Sequence, residues 1–561
     1  MKKLVSVGAL LVFGCMLVTA QMPENIYGRT AQGQNGVVSA AKPEASRIGA
    51  EVLKKGGNAV DAAVATAFAL GVLEPNSSGL GGGGFMTIKM ANMDEAVVID
   101  FRETAPAAAT PTMFLGSDGK VIPRSTTEGA LSIGVPGEVK GLLYAFNTFG
   151  SGKLSRMEMV EPAIKCAVTG IPVTANLGGL IKDNFGKLTK YENGAAIYLE
   201  DGLPYEIGSS FTNNDLAKTL AKIGAGGEDA FYRGEIAQAM VAEVQKRGGI
   251  LTLEDLANYE VKIRKPVKGT YRGYTILSVP PASSGGTHLI QILNIMENFN
   301  LQKTGQGTVA TAHLWAETMK MAFADRAKYM ADTDFVKVPL DGLSSKEYAR
   351  TLAAKINPDK PMAGVTAGDP SKYESGSTTS FAVMDKAGNM VAVTKSINYT
   401  FGSGIVVPGW GIVMNDHMDD FVATPGSVNS VEPGKRPLSS MSPTLVLDPQ
   451  GRSFMAVGSP GATRIFTTVA QIISNVVDFS MPIDQAIFYP RLFQMASGSL
   501  NMEGRYSINS MEALKRLGHT VTVRNDWDVY FGGVHAVLYD YSAGLLYGGA
   551  DPRRDGIAAG F

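Results

Sequence analysis

At 561 residues and 45% hydrophobic content, the chain holds ample apolar material for a large core and exceeds the length of one usual domain. Its 51 basic residues nearly balance 52 acidic ones, for a net charge of −1, which argues against a polybasic surface for nucleic acid or anionic membrane. Charged residues make up only 18% and glycines number 65, the composition of a turn-rich globular protein and not a disordered one.

Residues 1–20 read as an export signal: Lys2 and Lys3, the apolar run Leu4–Val18, then small residues at Val18-Thr19-Ala20 before Gln21. This predicts an exported protein, periplasmic or extracellular. A membrane anchor fits less well, because the run is short and polar residues end it. A lipid anchor at Cys15 is the second reading, weakened by the awkward fit of Phe13. With the signal removed, Cys166 is the one cysteine left, so no internal disulfide is expected and a core position suits it. His288, His313, His417, His519 and His535 lie scattered without metal-ligand spacing, so no metal site is expected.

After a short strand from Val37, Pro43 opens a predicted helix to Lys55, closed by Gly56-Gly57-Asn58. Ala59–Leu73 is apolar on nearly every face and predicts a buried helix. Ser77–Phe85 reads SSGLGGGGF; four consecutive glycines suit close backbone packing or a ligand cradle. The Lys-Ser/Thr ending of a phosphate loop is missing, so the reading is a tight strand entry near a site. Met86–Lys89 and Glu95–Phe101 predict a strand pair. Arg102 follows, and either pairs with Asp100 or Glu103 or holds a carboxylate ligand. A turn at Ile133–Gly137 leads to a helix Glu138–Phe149, and the chain stays largely helical to Glu260. A strand is expected over Tyr271–Val279, then Pro280–Gly286 leads into a helix Thr287–Phe299. The helix Val309–Met330 carries His313, Glu317, Lys320 and Arg326 at roughly helical spacing, the mark of a solvated or ion-paired face. Asn357–Tyr373 is a polar linker of the kind that tolerates being cut.

The linker runs into Ser375–Gly402, SGSTTSFAVMDKAGNMVAVTKSINYTFG. Ser380–Met384 and Met390–Ser396, split by Lys386-Ala387-Gly388-Asn389, predict a hairpin. Thr378 and Thr379 at its head carry two readings. Threonine favours strands; alternatively, Thr378 becomes a new N-terminus whose own amine activates its hydroxyl. Local pattern does not choose between them. Gly411–Phe421 predicts a strand running into an acidic cluster, Asp416, Asp419 and Asp420. Leu445–Asp448 and Ser453–Val457 predict a second hairpin. Gly458–Thr463 is a glycine-rich turn opening a helix Arg464–Val477, where backbone N–H groups suit negative charge. Short strands and a helix Ser510–Leu517 complete the chain.

Taken in order, these stretches resemble the γ-glutamyltranspeptidase (glutathione hydrolase) family: GGNAVDAAVA (56–65), GLGGGGFM (79–86), DFRETAP (100–106), PPASSGG (280–286), Thr378-Thr379, NDHMDDF (415–421), RPLSSMSPT (436–444), GSPGATR (458–464) and DPR (551–553). The resemblance implies an α+β fold, a four-layer αββα sandwich of the N-terminal nucleophile hydrolase type. It implies a precursor cut between Ser377 and Thr378 into a large subunit (21–377) and a small one (378–561), held together as a heterodimer. The implied reaction passes a γ-glutamyl group from glutathione or a related compound to water, an amino acid or a peptide, through an acyl-enzyme and without a cofactor or metal.

By the same resemblance Thr378 is the nucleophile, its freed amine the base, and Ser396 a supporting hydroxyl. Gly461 and Ala462 match the oxyanion-hole donors. Arg102, Ser439 and Ser440 match the groups that hold the α-carboxylate of the donor, and Asn398 and Asp420 those that hold its α-amino group. Three departures stand out. His417 occupies a position near the α-amino group where members usually carry Gln or Glu: protonated, it would repel an ammonium; neutral, it would accept from one or simply pack. Ala462 replaces a common glycine. Only thirteen residues, Val422–Gly434, separate Phe421 from Lys435, where many members carry a longer lid. The short segment implies an open site and tolerance of bulky donors such as poly-γ-glutamate ends. The rival readings are a related amidase on the same scaffold (cephalosporin or glutaryl acylase, or poly-γ-glutamate hydrolase), an unprocessed exported binding protein, and a nucleotide-binding enzyme built on Gly81–Gly84.

Overall fold

The structure, a computed structural model, describes residues 26–365 and 378–561. The export signal with Cys15, the end of the linker and Ser375–Ser377 lie outside the described residues. Among the described residues, no helix is long and apolar enough to cross a membrane.

Side chains on a strand alternate between its two faces, and the hairpin at Thr379–Asp385 and Met390–Ser396 uses both. Phe381, Val383, Val391 and Val393 pack with the helices Pro43–Lys54 and Ala59–Leu73. Their alternates Ala382, Met384, Met390 and Ala392 pack against Leu445, Ala456, Val537 and Leu546 of a second sheet. On the far side of that sheet Ile276, Val446, Met455 and Val457 meet the helices Gly285–Met296, Val309–Tyr329 and Ile465–Val477. The result is the expected four-layer αββα sandwich, with small residues such as Ala382, Ala392 and Ala456 between the two sheets.

Both sheets have seven strands and are antiparallel throughout. One runs Ile557–Gly560, Gly36–Ala40, Thr379–Asp385, Met390–Ser396, Gly83–Lys89, Val97–Asp100, Lys262–Arg264. The other runs Thr30–Gly33, Leu545–Ala550, His535–Asp540, Ser453–Gly458, Thr444–Leu447, Tyr274–Ser278, Val267–Tyr271. Segments from before and after Thr378 are therefore interleaved within each sheet.

Three expectations need correction. Tyr271–Val279 is not one strand: Arg272 and Gly273 both adopt positive φ, 51° and 90°, and make a two-residue hairpin turn between Val267–Tyr271 and Tyr274–Ser278. Gly411–Phe421 holds only isolated bridges and a 3-10 turn, His417–Asp420, because positive-φ Gly411 and the turn bend the backbone out of any ladder. On the helix Val309–Tyr329, His313, Glu317 and Lys320 are buried, so of the two readings of that face the solvated one falls and the ion-paired one holds: Glu317 and Lys320 pair at 2.7 Å inside the protein.

The four glycines provide close packing. A Cβ at Gly82 would lie 2.2 Å from the Ser396 carbonyl oxygen and one at Gly84 2.4 Å from that of Thr394. Only glycine lets this strand enter beside Met390–Ser396.

Candidate active site

The register of the hairpin places the two hydroxyls. Thr379 pairs with Lys395, so one step further Thr378 faces Ser396, and their hydroxyl oxygens lie 3.3 Å apart. Parity puts both on the face that looks between the sheets. Thr379 and Lys395 point to the helix side, where the Lys395 ammonium meets Glu138 at 2.6 Å with neither exposed. Thr378, buried but for 4% of its surface, lines a cavity of about 300 Å³ at the sheet end.

Ser396, Asn398, His417, Asp420, Ser439, Ser440 and Ala462 line the same cavity. Ser396 Oγ accepts from the Asn398 backbone N–H at 2.7 Å, and the Asn398 side chain donates to the Asp416 carbonyl at 3.1 Å. Asn398 sits at φ 77°, a conformation asparagine tolerates better than most residues. Asp416 itself is not in the wall. It is fully buried, and burial pushes its carboxyl well above the usual range.

Arg102 and Gly461 are not in the wall either. The Arg102 guanidinium is fully buried and donates to Asp420, with Glu103 at 3.5 Å and the Pro437 carbonyl at 3.3 Å. Thus Arg102 sits behind Asp420, which keeps a quarter of its side chain exposed. Asp100, the other sequence-suggested partner of Arg102, takes Arg264 at 2.7 Å. His417 Nδ1 lies 2.8 Å from Glu103. Burial raises the Glu103 carboxyl to about 8; burial and the Arg102 charge hold the His417 ring well below its usual range. At neutral pH the pair is therefore a carboxylic acid against a neutral imidazole.

Opposite, the Ser439-Ser440 loop is pinned by the PPASSGG segment. Ser283 Oγ donates to the Met441 carbonyl at 2.6 Å and Ser284 Oγ to the Ser439 carbonyl at 2.8 Å. A Cβ on Gly285 would lie 2.4 Å from the Met441 carbonyl oxygen, which explains the glycine there. Ser439 Oγ accepts from the Met441 N–H at 3.1 Å, and Ser440 Oγ accepts from Arg326 at 3.0 Å. Arg326, read from sequence only as part of a polar helix face, lines the cavity. Its partners Ser284 and Ser440 come from distant segments, which no local spacing could reveal.

Gly461 and Ala462 form the turn before the helix Ile465–Val477, with φ 130° and 52°. The turn places Ala462 and Thr463 in the cavity wall at a helix N-terminal end, where backbone N–H groups stabilise negative charge. The short segment 422–434 supplies another wall through Val422, Val428 and Asn429. Its Asn429 donates to the Asp420 carbonyl at 2.7 Å, and Lys435 donates to the Val428 and Ser430 carbonyls.

Elsewhere the fold gathers His313, Glu317 and His519, whose ligand-type atoms lie within 4.8 Å, a grouping hidden in the sequence because the histidines stand 206 positions apart. Each group is already engaged: the histidine rings meet at 2.7 Å, His313 reaches the Asn357 carbonyl at 2.8 Å, and Glu317 takes Lys320 and the Met362 N–H. The cluster ties the segment 357–362 to the helical layer.

The γ-glutamyltranspeptidase family model ("Gamma-glutamyltranspeptidase") matches residues 45–561. The chain is similar to the glutathione hydrolase proenzyme of Escherichia coli (strain K12), at 40% identity across 99% of this chain and 98% of that one. In structure it is similar to a cephalosporin acylase from Bacillus halodurans, with TM-score 0.87 and 30% identity over 95% of this chain and 97% of that one. It is also similar to the γ-glutamyltranspeptidase of Helicobacter pylori, with TM-score 0.57 and 44% identity over 59% of this chain and 94% of that one.

Proposed function

Because the chain belongs to the γ-glutamyltranspeptidase family, we propose that its cavity cleaves γ-glutamyl amide bonds with Thr378 as the nucleophile. The protein is a hydrolase and transferase of this family, acting on glutathione and related γ-glutamyl compounds. The observation that carries the residue assignment is the meeting of the Thr378 and Ser396 hydroxyls, 3.3 Å apart, in one cavity with the Asp420 carboxylate and the Ser439 and Ser440 hydroxyls.

The chemistry follows from that arrangement. A cut between Ser377 and Thr378 gives Thr378 an α-amine, whose ordinary pKa of about 7.7–8.0 suits a base near neutral pH. The amine takes the hydroxyl proton as Thr378 Oγ1 attacks the γ-carbonyl, and Ser396 holds that hydroxyl in place. Backbone N–H groups of Gly461 and Ala462 receive the developing oxyanion; losing one such donor typically costs about 10²–10³ in rate. The leaving amine departs with a proton. Water or an incoming amine then attacks the ester and releases Thr378. The zwitterionic end of the donor is held with its ammonium at Asp420 and its carboxylate at the two serines, which fixes the γ-carbonyl against Thr378. Arg102 serves this clamp from behind by holding Asp420. The two pieces, 21–377 and 378–561, stay together as a heterodimer, and residues 1–20 direct export.

A second reading, an acylase for substrates without an α-amino group, is favoured by the likeness to the cephalosporin acylase. Asp420 in the cavity wall disfavours it, because a substrate without an α-amino group brings no cation to the part of this carboxylate that Arg102 leaves exposed. The test is intact mass with N-terminal sequencing, for the wild type and Thr378→Ala, followed by turnover of glutathione, a γ-glutamyl oligomer and a glutaryl amide. The proposal expects a second chain starting at Thr378, lost in the variant, and turnover of glutathione. An uncut wild type, or preference for the glutaryl amide, would refute it. Turnover of glutathione but not the oligomer would remove the suggestion that the short segment 422–434 admits bulky donors.

A further inference from the structure

Two charges of opposite sign line the cavity beside Thr378. Asp420 supplies the negative one, and the positive one is Arg326, on the helix Val309–Tyr329. Arg102, the arginine that sequence motifs favour for a carboxylate, is sealed behind Asp420 and does not reach the wall. Arg326 Nη2 donates to Ser440 Oγ at 3.0 Å, and Nε donates to Ser284 Oγ at 2.9 Å. Ser284 in turn donates to the Ser439 carbonyl, so one guanidinium fixes both residues of the serine loop.

The direction of these bonds matters. A hydroxyl has one hydrogen to donate and two lone pairs to accept with. Ser440 accepts from Arg326 and Ser439 accepts from the Met441 N–H, while neither hydroxyl hydrogen meets an acceptor among the described residues. Both hydroxyls are therefore set as donors toward the cavity, and a neighbouring positive charge strengthens such a donor. Two hydroxyl donors backed by a guanidinium form an anion subsite suited to a carboxylate, in the same cavity as the Asp420 carboxylate.

We propose that Arg326 is a positioning residue for the donor carboxylate: it holds Ser440 as a hydrogen-bond donor and places positive charge on that wall of the cavity. The inference rests on the γ-glutamyl reading above and adds a residue to it. Arg102 donates to Asp420 and Arg326 to Ser440, so each of these two cavity-lining residues is held by a guanidinium.

The experiment compares wild type, Arg326→Gln and Arg326→Lys on two donors, a γ-glutamyl anilide and its α-carboxamide analogue, with chain cleavage and thermal unfolding followed in the same samples. Arg326→Gln raises KM for the carboxylate donor about 10- to 100-fold, with kcat changed much less. KM for the carboxamide donor moves by less than about threefold, since a neutral amide gains little from the charge. Arg326→Lys recovers part of the loss, because it keeps the charge without the planar fork. Adding Ser440→Ala to Arg326→Gln costs less than the sum of the two separately, as expected for groups acting through one contact. Equal losses on both donors, a loss confined to kcat, or additive effects overturn the inference and leave the γ-glutamyl reading standing. Absence of wild-type turnover of the anilide overturns both.

Discussion

One hairpin carries opposite chemistry on its two faces, one residue apart. On the face between the sheets, Thr378 and Ser396 bring two hydroxyls into a cavity. On the helix face, Thr379 and Lys395 are sealed, and the Lys395 ammonium is neutralised by Glu138 with no water reaching either. The difference lies in the space each side chain meets and not in its chemical type. A threonine next to a ligand-sized void can react; its neighbour, with the same side chain, supports the layer beneath.

The largest test of this contrast exchanges the two threonines. Thr378→Ala should abolish chain cleavage and lower turnover by at least about 10⁴-fold, the scale seen when a nucleophile is removed. Thr379→Val should leave cleavage and kcat/KM within about tenfold, measured by gel and by a γ-glutamyl anilide assay. A dead Thr379 variant with an active Thr378 variant would invert the assignment. On the sealed face, Lys395→Met should destabilise the protein by about 3–5 kcal/mol in denaturant unfolding, because it strands a buried carboxylate. Burial raises Glu138 to about 7, so uptake of a proton softens that loss, and Lys395→Met with Glu138→Leu should regain much of it.

The hairpin itself was legible, because two short apolar runs split by Lys386-Ala387-Gly388-Asn389 leave few alternatives. The choice of Thr378 over Thr379 needed the register, a tertiary fact, or the motif resemblance that stood in for it. Asp420, Ser439 and Ser440 were reached by resemblance alone, since serines in a loop carry no local signal. Arg326 was missed because helical spacing describes neighbours on one helix, whereas its partners sit at Ser284 and Ser440. Arg102 was reached by its motif, but its burial against Asp420 is a tertiary fact that the motif does not carry. The break at Arg272-Gly273 escaped notice because arginine is an unusual occupant of a positive-φ turn.

A smaller effect is expected from the buried pair at the cavity's edge. Glu103 is raised from 4.5 to about 8, so its contribution to stability is fully present below about 4.5 and lost as pH rises through about 8. The melting temperature should therefore fall between about pH 5 and 8 in the wild type, level off above that, and fall less in Glu103→Gln, read by calorimetry. His417 shifts the other way. Its neutral ring contributes above its unfolded value of about 6.5, and this is lost as pH falls below it. Because the folded ring stays neutral, KM for the donor should follow the same curve from pH 5.5 to 8 in wild type and His417→Gln. A divergence below pH 6.5 would place a charged imidazole beside the ammonium. The smallest effect belongs to Ala462, at φ 52°: Ala462→Gly relieves about 1 kcal/mol of backbone strain and should leave kcat within about threefold.

The interleaving of early and late segments within each sheet bears on how the protein comes apart. Gly36–Ala40 lies between Ile557–Gly560 and Thr379–Asp385, and Gly83–Lys89 pairs with Met390–Ser396. In the other sheet Thr30–Gly33 pairs with Leu545–Ala550, and Tyr274–Ser278 with Thr444–Leu447. A single break before Thr378 leaves every one of these ladders intact, yet it changes the molecularity of unfolding. The uncut chain unfolds to one molecule and the cut one to two. The midpoint of the cut form must then rise with protein concentration while that of Thr378→Ala does not, and its refolding becomes a second-order encounter.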